Sequence, residues 1–321
     1  MRLVSFDELS PSMDVDRLLV HLSSLGGSPK RAAVDLWRRR SDIYADYAAI
    51  FAVDGGAVVG QTYVKRLEYA FPDGPETISA IASVGTRPDR ARTGVARRIL
   101  DEVHRREREA GCRYATLWTN PSWGAHRLYE KLGYRDVYTV PWALRPSRPA
   151  RRSAGRRSSA RPARRCDLAE LQRIHDQDAA PRLGFCRRPK RWFETAAAVR
   201  DLDPAKELVV VRDEGRPVGY ASVLATPQRA LCGELVGPSV AVRRRLLGEI
   251  ERRAGTGPAV LQGSLVADQR PLLEDRGYRI LPTGWWCFMA KRLRADWDAR
   301  TAMTTFATRD PRFTCQLGDR F

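Results

Sequence analysis

Cysteine is scarce in this chain, and the six cysteines stand singly along it. None of them lies in a C-x-x-C pair or in a Cys/His spacing typical of a metal site. The sequence therefore predicts reduced, mostly buried thiols and no metal. Long apolar runs are also missing: no stretch approaches the roughly 18 residues that span a bilayer, and the first residues lack the apolar core of a signal peptide. We expect a cytoplasmic protein with no membrane partner.

Acidic residues are in deficit, since 56 lysines and arginines face 38 aspartates and glutamates and give a formal net charge of +18. Residues 145–165 hold nine arginines and no acid, so half of the excess lies in one segment. Arg, Pro, Ser and Gly without apolar residues cannot build a core, and we interpret residues 146–164 as a linker between two domains. A nucleic-acid patch is the less favoured interpretation of this segment. The remaining positive charge suits a polyanionic ligand.

A basic turn before an amphipathic helix is the first functional motif. Residues 78–86 are rich in Ile, Val, Ala and Ser and predict a strand, which Pro88 ends. Apolar residues at helical spacing predict a helix that starts at Gly94. The first N–H groups of a helix have no intrahelical partner and attract an anion, which Arg90 and Arg92 would also bind. Taken alone, the motif fits an ordinary helix start equally well.

A second motif follows about 25 residues downstream, where residues 113–118 predict a neighbouring parallel strand and a short helix comes next. The two motifs resemble the core of the Gcn5-related N-acetyltransferase (GNAT) superfamily, with the patterns V-x-x-x-P-x-x-R-x-x-G-x-G/A and N-x-x-x-x-A-x-x-L-Y-x-x-x-G-F/Y. One position departs, because Ala91 stands where the family usually has Arg or Gln. The matching positions are Val84, Pro88, Gly94, Ala96, Asn120, Ala125, Leu128, Tyr129, Gly133 and Tyr134.

This resemblance covers residues 1–145 and implies an α/β fold built on a mixed sheet. It also implies that acetyl-CoA, or another acyl-CoA, lies where the two predicted strands separate, with its pyrophosphate on the N–H groups of residues 92–96. A main-chain N–H near Val84 or Thr86 is expected to bind the thioester carbonyl, and Asn120 to hold the pantetheine arm or the local backbone. The residues expected to bind the cofactor are Val84, Gly85, Thr86, Arg90, Arg92, Thr93, Gly94, Val95, Ala96, Asn120, Ala125 and Tyr129.

The resemblance implies that Tyr129 donates a proton to the departing thiolate. The alternative is a core aromatic at helical spacing with Ala125 and Leu132. His126 lies on the same helix face, and we expect it to be a surface histidine rather than a substitute acid. A substrate amine is expected to attack the thioester directly in a ternary complex.

The base that takes the proton from the amine is open. The candidates in the first lobe lie near the hairpin that precedes the strand predicted at 78–86, and they are Glu68, Asp73 and Glu76. Residues 294–321 form a tail with several large apolar side chains, which we expect to pack back and bring Asp319 or the terminal carboxylate of Phe321 to the active site. This arrangement is similar to the enhanced-intracellular-survival acetyltransferases, in which an inactive second lobe follows an active first lobe.

The chain also repeats internally, because residues 53–60 resemble 212–219 and residues 129–135 resemble 273–279. We therefore expect two tandem GNAT lobes, a catalytic lobe at 1–145 and a second lobe at 165–293. The second lobe lacks a glycine at the start of its predicted helix 240–254, and Leu273 replaces the tyrosine. It is expected to be degenerate and to bind no acetyl-CoA.

The sequence thus predicts an N-acetyltransferase that modifies an amine of a small molecule or peptide, in natural-product biosynthesis or self-resistance. One alternative is a longer acyl-CoA or the thioester of an acidic carrier protein as donor. Another is a non-catalytic protein that binds acyl-CoA or nucleic acid. Acetylation of protein lysines or N-termini is a third, and the sequence does not identify the acceptor.

Overall fold

The computed structural model describes residues 1–25, 47–147, 159–184, 186–188, 190–198, 202–262, 269–282 and 285–314. Within these ranges no helix is long and apolar enough to cross a membrane. In the same part of the chain, fifteen strands form two mixed sheets with helices on their faces. This architecture confirms the predicted α/β class with two sheets.

The first half of the chain supplies most of the first sheet. Its elements are β1 (Arg2–Ser5), α1 (Asp14–Leu25), β2 (Tyr47–Asp54), β3 (Ala57–Phe71), β4 (Gly74–Thr86), α2 (Val95–Glu109), β5 (Tyr114–Thr119), α3 (Gly124–Lys131), β6 (Arg135–Thr139) and β7 (Trp142–Arg145).

The second half follows with a similar order of elements. They are β8 (Ala160–Pro162), α4 (Leu168–Ala179), β9 (Cys186–Arg187), α5 (Trp192–Ala198), α6 (Pro204–Glu207), β10 (Leu208–Asp213), β11 (Arg216–Thr226), β12 (Arg229–Val236), α7 (Val240–Ala254), β13 (Ala259–Gln262), α8 (Arg270–Asp275), β14 (Arg279–Leu281), β15 (Cys287–Arg292) and α9 (Ala299–Thr305).

The internal repeat appears as the same hairpin in both halves. Gly55 and Gly56, between β2 and β3, have φ angles of 58° and 80°. Glu214 and Gly215, between β10 and β11, have φ angles of 47° and 83°. A two-residue type I′ turn requires a positive φ angle at both central residues, and the glycines at 55, 56 and 215 meet this requirement without strain.

Each sheet takes up strands from the other half of the chain: β7 joins the second sheet, and β9 and β15 join the first. The first sheet has the order β1-β2-β3-β4-β5-β15-β6, with β9 on β3, and the second has the order β14-β7-β13-β12-β11-β10-β8. β15 lies antiparallel between β5 and β6, with Cys287 opposite both Thr119 and Thr139. β7 lies antiparallel between β13 and β14, with Ala143 opposite Leu261 and Ile280.

This exchange crosses the boundaries expected from the sequence. β7 lies within the expected range 1–145 but pairs in the second sheet, and β15 lies within 165–293 but pairs in the first. β8, inside the expected linker 146–164, pairs with β10, and residues 148–158 of that linker lie outside the described residues. Short apolar strands carry no local signal for their partner, since pairing is a non-local contact.

Helix α2 presses against the first sheet. Its apolar residues Val95, Ile99, Leu100 and Val103 are buried, as the helical spacing predicts. Burial of each such side chain stabilises the fold by about 1.5–3 kcal/mol. Close packing requires a glycine on β3, because a Cβ on Gly60 would lie 2.6 Å from Cγ1 of Val95. The start of α2 is thereby fixed on the sheet.

The described part of the tail, residues 294–314, packs on the first sheet. Phe306 is fully buried, with its ring 5.1 Å from those of Tyr69 and Phe71. Phe313 stacks edge-on against Tyr138 at 4.8 Å, and the N–H of Thr314 donates to the carbonyl of Leu183. Asp319 and Phe321 lie outside the described residues.

Candidate active site

Strands β4 and β5 separate at their carboxyl ends. They pair in parallel only where Ser79–Ile81 faces Ala115–Leu117. After this contact, the register of β4 on β3 shifts by one residue, and Ser83 takes a left-handed φ of 52°. A bulge of this kind bends the strand and increases its twist. The result is a gap between Val84–Thr86 on one side and Trp118–Asn120 on the other.

The helix that follows β4 starts with unpaired donors. Gly94 is its N-cap at φ 85°, with no side chain capping the helix, and the first intrahelical bond runs from the N–H of Arg98 to the carbonyl of Gly94. The N–H groups of residues 95–97 are therefore free to bind an anion. A Cβ on Gly94 would meet nothing within 4 Å, so the glycine is required by its backbone conformation and the space above it is open.

The two arginines of the turn, Arg90 and Arg92, differ in whether an acid pairs with them. Arg90 is ion-paired with Asp54 at 3.2 Å. Arg92 is exposed, and no described acid pairs with its guanidinium. Thr93 closes the turn, because its hydroxyl donates to the carbonyl of Arg90 at 2.7 Å. Of the two arginines that flank Ala91, Arg92 is thus the one available to a phosphate.

Tyr129 lies on α3, against the core between that helix and the first sheet. Its side chain is 6 % exposed, and burial raises its pKa well above the usual value. The ring packs edge-on against Tyr134 at 5.8 Å between centroids. Because its pKa is raised, the phenol is neutral at pH 7. No described residue accepts a hydrogen bond from its hydroxyl.

Asn120 shapes the turn between β5 and α3. Its Oδ1 accepts hydrogen bonds from the N–H of Ser122 at 2.8 Å and from the Ser122 hydroxyl at 2.6 Å. This is an Asx-type turn, which fixes the direction in which α3 leaves the strand. The side-chain oxygen of Asn120 therefore holds the local backbone.

The acids expected near the hairpin lie away from this gap. Glu68 is opposite Thr77 on β4 and forms an ion pair with Arg187 at 2.8 Å. Thr77 precedes Val84 by seven residues, or about 23 Å along a strand. Glu76 forms an ion pair with Arg113 at 3.1 Å, and its partial burial raises its pKa. The structure does not bring these carboxylates to the gap.

A histidine that the sequence did not single out lies on the helix that covers the end of β4. Helix α1 packs so closely that a Cβ on Gly85 would lie 2.6 Å from the Ser24 hydroxyl. On the same helix, Nδ1 of His21 is 3.0 Å from Nε2 of Gln61 on β3, and Gln61 is the register partner of Gly85. Burial lowers the pKa of His21, with a smaller contribution from Arg17. A neutral imidazole is therefore held at Gln61, one strand away from the gap.

A side chain lies at the corresponding place in the second sheet. By the repeat of the hairpin and the strand register, Leu235 on β12 occupies the place of Val84. The buried side chain of Gln269, at the start of α8, donates to the carbonyl of Leu235 at 3.1 Å. At the start of α7, the Ser239 hydroxyl accepts from the N–H of Val242 at 3.3 Å, where the first helix has a free donor.

His126 is buried, contrary to the expectation of a surface histidine. It is 8 % exposed, with Nε2 2.8 Å from Oδ1 of Asp136 and Nδ1 3.5 Å from a carboxylate oxygen of Glu130. Helical spacing placed it beside Tyr129 but gave no information about β6, which supplies Asp136. Its surroundings are set by tertiary packing.

Comparisons with known proteins agree with this geometry. Residues 14–137 match the family model described as an acetyltransferase (GNAT) domain. No curated protein gives a significant sequence match. Since the match ends before β7, it covers the half that contains the open gap.

Solved structures extend the likeness to both halves. A GCN5-related N-acetyltransferase from Kribbella flavida superposes with a TM-score of 0.62 at 19% identity, over 90% of this chain and 70% of that one. A probable N-acyltransferase from Enterococcus faecalis V583 gives 0.65 at 14% identity, over 91% and 72%. Eis1 from Mycobacterium abscessus gives 0.57 at 16% identity, over 92% and 74%. At these identities the likeness establishes the fold.

Proposed function

Because residues 14–137 match an acetyltransferase (GNAT) domain, we propose that this chain transfers an acetyl or other acyl group from coenzyme A to an amine. The acceptor is a small molecule or a peptide. The observation that carries the proposal is the uncapped helix start behind Gly94, next to two parallel strands that separate. A pyrophosphate on the helix and a thioester between the strands account for both features.

The cofactor would be held mainly by main-chain groups. The N–H groups of residues 95–97 face the pyrophosphate, and the helix dipole favours its charge. Arg92 adds a guanidinium that no described acid neutralises. Since main-chain donors need no side chain, the replacement of the usual arginine or glutamine by Ala91 removes one contact and leaves the cradle intact.

Chemistry would take place where β4 bulges. A main-chain N–H of Val84–Thr86 stabilises the oxyanion as the amine attacks the thioester carbonyl. The tetrahedral intermediate then collapses, the C–S bond breaks and Tyr129 donates its proton to the sulfur. The raised pKa of Tyr129 keeps the phenol protonated until the thiolate forms.

The proton acceptor that we propose is His21. Its lowered pKa leaves the imidazole neutral at pH 7. Oε1 of Gln61 is buried and, among the described residues, has no hydrogen-bond partner. With the amide turned so that Oε1 accepts from Nδ1–H, Nε2 of His21 is a free base. The tail candidates Asp319 and Phe321 are the competing proposal, since Thr314 packs near the first sheet and the seven residues after it span at most about 25 Å.

The second half would have a structural role in this reaction. Gln269 and Ser239 occupy the positions that a thioester and a phosphate would need. β15 completes the first sheet beside β5. We therefore propose one cofactor site per chain.

Calorimetric titration with acetyl-CoA tests the proposal with a pair of matched variants. Gly94→Glu places a carboxylate at the helix start, whereas Gly215→Glu makes the same change at another left-handed glycine with open space around it. We expect one site in the wild type, retention of binding in Gly215→Glu and loss of at least tenfold affinity in Gly94→Glu. Equal binding by both variants would place the cofactor elsewhere, and absence of binding to the wild type would favour a carrier-protein donor or a non-catalytic role.

A further inference from the structure

Three potential metal ligands meet where the neighbouring strands β15 and β6 pass beneath helix α3. A nitrogen of the His126 ring, a carboxylate oxygen of Asp136 and Sγ of Cys287 all lie within 4.8 Å of one another. The three residues are separated by 10 and 151 positions in the sequence, which is why no sequence spacing revealed them. We propose that His126, Asp136 and Cys287 bind a zinc-class divalent cation.

The positions of the side chains follow from the strand exchange. Cys287 and Met289 are both buried in the core beneath α3 and therefore share a face of β15. Asp136 is directly opposite Met289 in the ladder, so it points to that same face. His126, on α3, contacts this face of the sheet, because its Nε2 is 2.8 Å from Oδ1 of Asp136. Three elements from two halves of the chain converge on one point.

The donor set selects the metal. A thiolate with an imidazole suits zinc, whereas magnesium and calcium prefer oxygen ligands only. Zinc is bound at about 2.0–2.3 Å, which places neighbouring tetrahedral ligand atoms about 3.3–3.6 Å apart. The His126–Asp136 contact thus has to open by about half an ångström. Asp136 is 49 % exposed and free to make that adjustment.

The surroundings provide the support that metal-binding histidines need. With Nε2 on the ion, Nδ1–H of His126 faces the carboxylate of Glu130, 3.5 Å away. A carboxylate on the second nitrogen fixes the tautomer and the ring orientation. Solvent reaches the cluster past Asp136, which gives the ion a path and leaves water as the fourth ligand. On binding, the Cys287 thiol releases its proton to solvent.

This ion would join the exchanged strand to the helix that carries Tyr129. His126 is three residues before Tyr129, and Cys287 begins β15. Metal binding therefore resists release of β15, a strand of the second half of the chain, from the first sheet. This stabilisation would act whether or not the chain transfers acyl groups.

Cobalt titration of the full chain, stripped with a chelator and kept reduced, tests the site. We expect one tightly bound Co²⁺ with intense visible bands of a four-coordinate site and a thiolate-to-cobalt charge-transfer band. Zinc should abolish both signals, and magnesium in excess should not. A wild type that takes up no cobalt, or takes it up without the charge-transfer band, would overturn the proposal.

Variants locate the bound ion. Cys287→Ser should lose the charge-transfer band, and Cys166→Ser, which removes an exposed thiol, should keep it. If the buried Cys287→Ser variant fails to fold by circular dichroism, the half-exposed Asp136→Asn decides the question through weaker cobalt binding. Glu130→Gln should weaken binding by about 10–100-fold through the imidazole. Unchanged affinity in Asp136→Asn, or a band that persists in folded Cys287→Ser, would refute the site.

Discussion

The Nζ of Lys291 donates a hydrogen bond of 2.5 Å to the main-chain carbonyl of Leu132, 159 residues earlier in the chain. Leu132 is the C-cap of the helix that carries Tyr129, and Lys291 belongs to the exchanged strand β15. A cation at a helix C-terminus satisfies an orphan carbonyl and complements the helix dipole. The second half of the chain therefore caps a helix of the first half.

Replacement of this lysine should destabilise the fold. Lys291→Met keeps most of the apolar stem and removes the donor, and we expect a loss of about 1–3 kcal/mol in the free energy of unfolding. Lys131→Met removes an exposed cation from the last turn of the same helix, and its effect should stay within about 0.5 kcal/mol. Urea denaturation compares the two, and equal effects would show that the Leu132 contact is not important.

Acid should destabilise the protein through His104. Burial, followed by repulsion from Lys291 and Arg108, lowers the pKa of His104 to about 3. Its Nε2 is 2.8 Å from the hydroxyl of Tyr134. As the pH falls below about 6.5, the unfolded chain gains a proton that the folded chain does not, so stability declines, by about 2 kcal/mol at pH 5.

Stability measured from pH 7 to pH 4 checks this contribution. The pH dependence should become shallower in His104→Gln, which cannot titrate. It should also become shallower in Lys291→Met, because removal of the lysine charge raises the pKa of His104 toward its ordinary value. If the slope below pH 6.5 were the same in the wild type and His104→Gln, another group would be responsible.

Loss of the Tyr129 hydroxyl should affect turnover and leave folding intact. In Tyr129→Phe we expect kcat to fall by about 10²–10⁴, the usual contribution of a general acid. No described residue bonds this hydroxyl, so stability should change little. Tyr278→Phe is the matched control, because it removes another buried hydroxyl without a described partner, in the second half. Unchanged turnover at saturating substrate would leave Tyr129 as a core aromatic.

His21→Gln should change the pH profile of the reaction. We expect kcat/KM of the wild type to fall on the acidic side as Nε2 takes up a proton, at a pH below 6.5 because burial lowers the pKa of His21. In the variant that limb should disappear and kcat should decrease by at least tenfold. Deletion of residues 318–321 distinguishes the tail carboxylates: activity retained in the deletion supports His21, and activity lost there with a normal fold supports Asp319 or Phe321.

Local patterns in the sequence determined the elements of the first half of the chain. The glycine at 94 and the apolar spacing of residues 95–103 define an uncapped, amphipathic helix, because backbone conformation and helical period are local properties. The absence of that glycine near 240 likewise indicated a second helix start of a different kind. The order of elements then followed from the internal repeat, in which residues 53–60 resemble 212–219 and residues 129–135 resemble 273–279.

Tertiary structure decided which sheet each short strand joins, because strand pairing is a non-local contact. Nothing in residues 142–145 or 287–292 indicates that the two strands change sheets, since an apolar strand of four to six residues pairs with any matching edge. That exchange brings Cys287 to His126 and Lys291 to Leu132. It is also only in three dimensions that α1 places His21 against Gln61 of β3 and that Glu68 is left far from the gap. Sequence thus determined the local geometry of the helix start behind Gly94, and packing decided which side chains surround it.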